Sequence, residues 1–212
     1  MGHAITLNQP LKVRKVEEEG EFIGYAVNGT PADCVKLAIT VLLDEPPKLV
    51  VSGINLGGNL GICALYSGTV SAATEAMVMG VTSIAVSLDT YEDPDFIPAA
   101  KFTRKFIPQL LKKGLPDGVV LNINVPPVSE SEFAGVAITR QGKSRVIEEF
   151  DCREDPRGRT YYWLAGEMLF EETEEGADCV MIAKKYVSVA PIHFDLTHYP
   201  SLDKLKDWKI EL

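Results

Sequence analysis

The sequence is short of positive charge, of cysteine and of long apolar runs. Its 21 lysines and arginines stand against 30 aspartates and glutamates, a formal net charge of −9. A chain so balanced is poorly placed to neutralise phosphate backbones, which argues against general nucleic-acid binding. No apolar stretch approaches the roughly 18 residues that a bilayer span requires. Residues 1–25 lack the basic start, apolar core and small-residue cleavage site of a secretion signal. A cytoplasmic protein with no membrane partner is therefore expected. The four cysteines, Cys34, Cys63, Cys152 and Cys179, are far apart and form no C-x-x-C pair. Neither a disulfide framework nor a cysteine zinc site is indicated. Internal repeats, low-complexity linkers and the G-x-G-x-x-G dinucleotide fingerprint are also missing.

What remains is ordinary soluble composition, 46% hydrophobic and 24% charged, in 212 residues. That length suits one domain with its own core, and residues 1–212 are read as such. The charge is uneven. Residues 148–178 hold 11 acidic and 3 basic side chains, so this stretch carries nearly all of the net negative charge.

Residues 11–16 and 21–27 read as a hairpin about a four-residue turn. Thr30-Pro31-Ala32-Asp33 announces a helix: a capping hydroxyl, a proline suited to the first position, and an acid at the positive end. Val35, Ala38, Ile39 and Leu42 continue it at helical spacing. Residues 49–52 form a buried-type strand, followed by a glycine-rich loop to about Tyr66. A helix is expected at 67–79, a strand at 83–88, and a third helix through Ala99, Phe102, Phe106 and Leu110, ended by Gly114 and kinked or restarted at Pro108. Residues 119–125 alternate, with Asn122 and Asn124 opposite the apolar face. Strands at 136–139 and 187–192 and a helix at 201–210, with Leu202, Leu205 and Trp208 as its apolar contacts, complete the pattern.

Helix and strand alternate between Thr30 and Val125, which predicts an α/β, doubly wound, mostly parallel sheet. Residues 140–185 break the pattern and are read as β-hairpins projecting as an arm, an excursion suited to oligomer contact. Tyr161, Tyr162 and Trp163 fit that role better than base stacking.

Chemistry concentrates in Ser52-Gly53-Ile54-Asn55-Leu56-Gly57-Gly58-Asn59-Leu60-Gly61. A strand ending here delivers Asn55 and Asn59 to the carboxyl edge of the sheet, where open α/β sheets bind ligands. Twelve residues after Asn55, Ser67-Gly68-Thr69-Val70 opens a helix. Its N–H groups, dipole and hydroxyls make an anion site, and Gly68 permits close approach of a phosphate. Two readings stay open on these residues alone: a phosphate or metal–phosphate site, or a tight glycine turn before an ordinary capped helix. His193, Asp195 and His198 favour a structural role over a helical zinc pair, and Asn122 and Asn124 read as satisfied buried amides. His3 could reach the same sheet edge. Arg140, Lys143 and Arg145 either steer an anion or decorate a loop, and residues 171–175 read as a solvated acidic loop.

Together these stretches, with Gly2-His3-Ala4-Ile5-Thr6-Leu7, Leu121-Asn122-Ile123-Asn124-Val125-Pro126, Thr139-Arg140-Gln141-Gly142, Asp155-Pro156 and Tyr186-Val187-Ser188-Val189-Ala190-Pro191, resemble the SurE family of 5′-nucleotidases. The resemblance implies a Rossmann-like sheet and hydrolysis of nucleoside 5′-monophosphates or other phosphate esters. It implies one divalent cation per subunit, Mg²⁺ or Mn²⁺, and a homodimer or homotetramer built by a swapped C-terminal region. It matches Asn55 to the family's metal-binding asparagine, and Asn59, Ser67, Gly68 and Thr69 to positions lining the phosphate pocket. The proton-handling residue is not assigned.

One departure stands out. The family pattern opens with a strand, helix and strand carrying Asp-Asp-Gly and a serine ligand. No Asp-Asp-Gly occurs in this sequence. The expectation is a 5′-nucleotidase whose 212-residue chain is impaired in turnover, the alternative a non-catalytic phosphate- or nucleotide-binding subunit.

Overall fold

The computed structural model describes residues 2–143, 145–146, 149–166, 168–169, 173–208 and 210. The expected first hairpin is present as β1 (Val13–Glu18) and β2 (Glu21–Val27), paired antiparallel. Thr30 then caps α1 (Pro31–Leu37): its hydroxyl accepts from the Asp33 N–H while the Asp33 carboxylate accepts from the Thr30 N–H. The helix widens into a π-type turn over Ala38–Leu42, closed by the Leu43 N–H to the Ala38 carbonyl at 3.0 Å.

The strand expected at 49–52 is longer, and β3 runs over Val50–Leu56. Its pairing with β4 (Ser83–Leu88) is irregular between Ser52 and Asn55 and then resumes, Asn55 opposite Ser87 and Leu56 opposite Leu88. Gly53 is absorbed within that irregularity, so Asn55 belongs to the strand itself. A 3₁₀ turn over Gly61–Tyr66 leads to α2 (Gly68–Val78), capped by Ser67. Next come α3 (Ile97–Lys113) and β5 (Val120–Val125). The proline expected to kink or restart α3 lies inside one continuous element, which Gly114 ends at φ +71°.

After β6 (Gly135–Ile138) the arm holds β7 (Arg145–Val146) paired with β10 (Met168–Leu169), and β8 (Glu149–Glu154) paired with β9 (Thr160–Ala165). The hairpin character is as expected, but the stretch is not all β, for α4 (Asp178–Ala183) is a short helix. Six residues are too few for helical periodicity to show. β11 (Tyr186–Ile192) returns to the sheet and α5 (Tyr199–Lys206) follows. Leu202, Leu205 and Trp208, expected to pack α5 down, stay 41%, 43% and 65% exposed. The stripe is real but the helix faces solvent, because periodicity says which residues share a face and not whether anything covers it.

The central sheet runs β3-β4-β5-β11-β6. Its pairs are parallel except β11 with β5, which is antiparallel. Every residue of β4 and β5 is buried, as the interior strands of a doubly covered sheet must be. Ile84, Val86, Leu121, Ile123 and Val125 meet Ala99 and Leu110 of α3 on one face. Ala85 and Val120 meet Val70, Ala73 and Met77 of α2 on the other. Burying each large aliphatic here contributes about 1.5–3 kcal/mol. The site's strands are thereby fixed from both sides, with their carboxyl ends at one edge. No helix among the described residues is long and apolar enough to cross a membrane.

Candidate functional site

Three chain segments converge at the carboxyl edge. From the end of β3, the Asn55 amide donates to the carbonyls of Leu56 (3.1 Å) and Gly57 (2.8 Å), which holds its side chain across the strand terminus. Its Oδ1 accepts from the Thr69 hydroxyl at 3.2 Å, so β3 and the start of α2 are joined side chain to side chain. Ser67 spends its hydroxyl on the Val70 N–H at 3.1 Å. The N–H groups of Gly68 and Thr69 are the donors left over in the first turn, where the helix dipole is positive.

Gly68 has a different reason from close ligand approach. A Cβ there would stand 2.9 Å from Pro31 Cγ, so this glycine lets α2 pack against α1. The two helix starts, each announced by a capping hydroxyl, are pressed together at that point.

Asn59 is turned inward. It is buried, and its side-chain amide donates to Ser87 Oγ at 2.6 Å. Its backbone N–H donates to Asn124 Oδ1 at 2.8 Å, and its carbonyl accepts from Asn122 Nδ2 at 2.8 Å. Asn122 and Asn124 are thus the buried amides that strand alternation implies, and their work is to hold the loop at Asn59. Two amides inside a central strand would cost several kcal/mol unpaired, so their pairing with the loop is what makes their burial tolerable. Asn122 Oδ1 is the buried side-chain atom without a protein partner among the described residues.

Asp178, which sequence reasoning passed over, is a second clamp. Fully buried at the first position of α4, it accepts from the N–H groups of Gly61 (2.9 Å), Gly142 (2.9 Å) and Cys179 (2.8 Å). Gln141 adds a bond from its amide to the Gly61 carbonyl at 2.8 Å. An aspartate at the end of an acidic run carries no sequence signal of this; only the return of the chain to the sheet brings the Gly61 and Gly142 N–H groups to it.

On the other side, Asp89 follows β4 and lies against Gly58, where a Cβ would collide with its carboxylate. Burial pushes its carboxyl above the ordinary aspartate value, and the Gly58 N–H offsets this in part.

The remaining candidates go elsewhere. His3 Nε2 meets the buried Glu75 carboxylate of α2 at 2.7 Å, and Lys36 pairs with the same carboxylate. His3 therefore anchors the chain start to the middle of α2 and not to the sheet edge. Burial alone would raise the Glu75 pKa, but the bonds from Lys36 and His3 bring it below its usual range. Asp195 accepts from Thr197 and Tyr199, and His198 Nδ1 meets Ser201 Oγ at 2.6 Å, so the His193–His198 stretch organises the turn into α5. Arg140 pairs with Glu174, and Lys184 with Glu175 at 2.8 Å, on exposed surface. Residues 148, 171 and 172 of the acidic run, and the side chain of Arg145, lie outside the described set.

With this geometry in place, the relatives become informative. The family model described as survival protein SurE matches residues 1–148. A protein named 5′-nucleotidase SurE from Syntrophobacter fumaroxidans is 48% identical over 99% of this chain and 84% of its own length. Another of that name from Syntrophus aciditrophicus is 52% identical over 97% of this chain and 78% of its own. The chain belongs to the SurE family. The crystal structure of the SurE protein from Aquifex aeolicus agrees, with a TM-score of 0.82 at 41% identity over 97% of this chain and 82% of that one.

The divalent cation implied by SurE membership can be tested on the donors themselves. Among the described residues no group of three or more His, Cys, Asp or Glu side chains could hold one ion. Asn55 is a single neutral donor already engaged by Thr69. Hard divalent cations need several oxygens, carboxylates among them. The described residues do not fit a resident ion.

Proposed function

We propose that this protein acts on nucleoside 5′-monophosphates or related phosphate esters, releasing nucleoside and phosphate. The observation that carries the reading is the Asn55–Thr69 bond at the start of α2, beside two N–H groups left over by the helix. A phosphate seated there would accept from the Gly68 and Thr69 N–H groups. The Thr69 hydroxyl, turned from Asn55, would supply a third donor. Charge building on the phosphoryl oxygens during in-line attack by water would meet fixed dipoles, which is the economical way to stabilise it. Asn59 takes part through position: its buried bonds keep the loop after Asn55 in one shape.

Dependence on Mg²⁺ or Mn²⁺ is what the SurE resemblance implies, and not what the donors described above supply. Toward such an ion the described residues offer Asn55 alone. That lone donor favours a second reading, a subunit that binds nucleotide without turning it over. It also makes slow turnover the expectation for the 212-residue chain. The deciding measurement is phosphate release from AMP with Mn²⁺, run beside calorimetric AMP binding. Release abolished by EDTA supports the hydrolase. Binding indifferent to EDTA with no release supports the subunit. A chain that binds neither AMP nor phosphate overturns both.

A further inference from the structure

A cavity of about 540 Å³ is lined by Asp89, Thr173 and, from the α4 segment, Cys179, Val180, Ile182, Ala183 and Lys184. Its size suits a small organic ligand. Its position is set by the fold: Asp89 leaves the carboxyl end of β4 and touches Gly58, three residues beyond Asn55. The α4 segment is held over the same loop by the Asp178 bonds to Gly61 and Gly142.

The charge on these walls decides what fits. A carboxylate repels a phosphate, so the phosphate of a bound nucleotide belongs at the start of α2 and not here. A carboxylate welcomes N–H and O–H donors. The aliphatic wall, with Lys184 turned to Glu175 at the rim, offers a flat partner its face. We propose that this cavity receives the nucleoside half of the substrate, with Asp89 accepting from a sugar hydroxyl or base amino group and the Val180–Ala183 wall covering the base. Asp89 is then a specificity-determining residue, one that neither the helix start nor the asparagines supply. The partial burial that raises its carboxyl pKa is consistent with a wall group that works by accepting hydrogen bonds inside a pocket. The inference rests on the nucleotide reading above and refines it.

The test titrates AMP, 2′-deoxy-AMP, adenosine and inorganic phosphate into the full chain and into two variants, Asp89→Ala and Ala183→Trp. Ala183 is exposed and lines the cavity, so a tryptophan there is expected to fold and to occupy it. The expected result is a loss of about tenfold or more in AMP affinity in each variant with phosphate affinity unchanged, tenfold being what one good hydrogen bond contributes. If the donor is the ribose 2′-hydroxyl, Asp89→Ala erases the difference between AMP and its deoxy form. If it is on the base, both weaken together. Unchanged AMP affinity in both variants, or an equal loss of AMP and phosphate, overturns the inference. Adenosine binding that Ala183→Trp abolishes, in a chain that does not bind phosphate, would leave the cavity standing while sinking the phosphate site.

Discussion

The glycine loop at residues 57–61 and the β8–β9 hairpin are both short, polar and rich in turn residues, yet they are held in opposite ways. Gly57, Asn59, Leu60 and Gly61 are buried, and their backbone is bonded to Leu88, Asn122, Asn124, Asp178 and Gln141, from strands and loops far apart in sequence. In the hairpin every strand residue is exposed, and its regular bonds join its own two strands. An isolated two-stranded ribbon is marginal in water, whereas a mostly buried loop bonded to several distant segments has nowhere else to go. The difference separates a part whose shape the chain determines by itself from a part whose shape needs something to lean on.

The largest expected effect comes from removing the clamp. Asp178→Ala removes the acceptor of the buried Gly61 and Gly142 N–H groups and the one that the Cys179 N–H uses. At about 1–3 kcal/mol for each orphaned group, urea unfolding should show a loss on the order of 3 kcal/mol or more. A loss below 1 kcal/mol would mean that the loop relaxes and the contrast with the hairpin is overdrawn. Asn124→Ala orphans the Asn59 N–H alone and should cost about 1–3 kcal/mol in the same assay. Because it loosens the loop after Asn55, AMP binding should weaken with it.

Thr69→Ala separates the site from its scaffold. Its hydroxyl is half-buried and bonded only to Asn55 in the described structure. Phosphate and AMP affinity should fall about tenfold, with unfolding changed by no more than about 1 kcal/mol. Equal affinity in wild type and variant would remove the start of α2 from the proposal.

Acid tests the other half of the scaffold. Burial would raise the Asp33 pKa, but the Thr6 hydroxyl and N–H and the Thr30 N–H outweigh it and lower the value from 3.8 to about 2. With the folded value below the unfolded one, the stabilisation is complete above pH 3.8 and is lost as pH falls toward about 2. Wild type should therefore exceed Asp33→Asn in stability at pH 7, with the gap closing between those two values.

The smallest effect on stability belongs to the hairpin. Replacing Tyr162 and Trp163 by serine should leave unfolding within about 0.5 kcal/mol, since both side chains already face solvent. If the arm is the oligomer contact that the sequence pattern suggests, the same change lowers the mass measured by light scattering. Unaltered mass would assign the exposed aromatics no role between copies.

Much of this was legible in residue order. The Thr30 and Ser67 caps, the alternation that puts Asn122 and Asn124 on one face of their strand, and the strand–helix succession that makes the sheet mostly parallel are all local signals, because capping and side-chain periodicity act over a few residues. The family resemblance, too, lies in contiguous motifs. Sequence by itself therefore located Asn55 and Thr69 and their shared edge. It could not show that Asn59 faces inward, that Gly68 is small for the sake of Pro31, that Asp178 gathers the distant N–H groups of Gly61 and Gly142, or that the α5 stripe goes uncovered. Each of those depends on which segments meet after the chain has crossed the sheet. Burial and hydrogen-bond pairing are properties of the packed whole, so only the tertiary structure decided them.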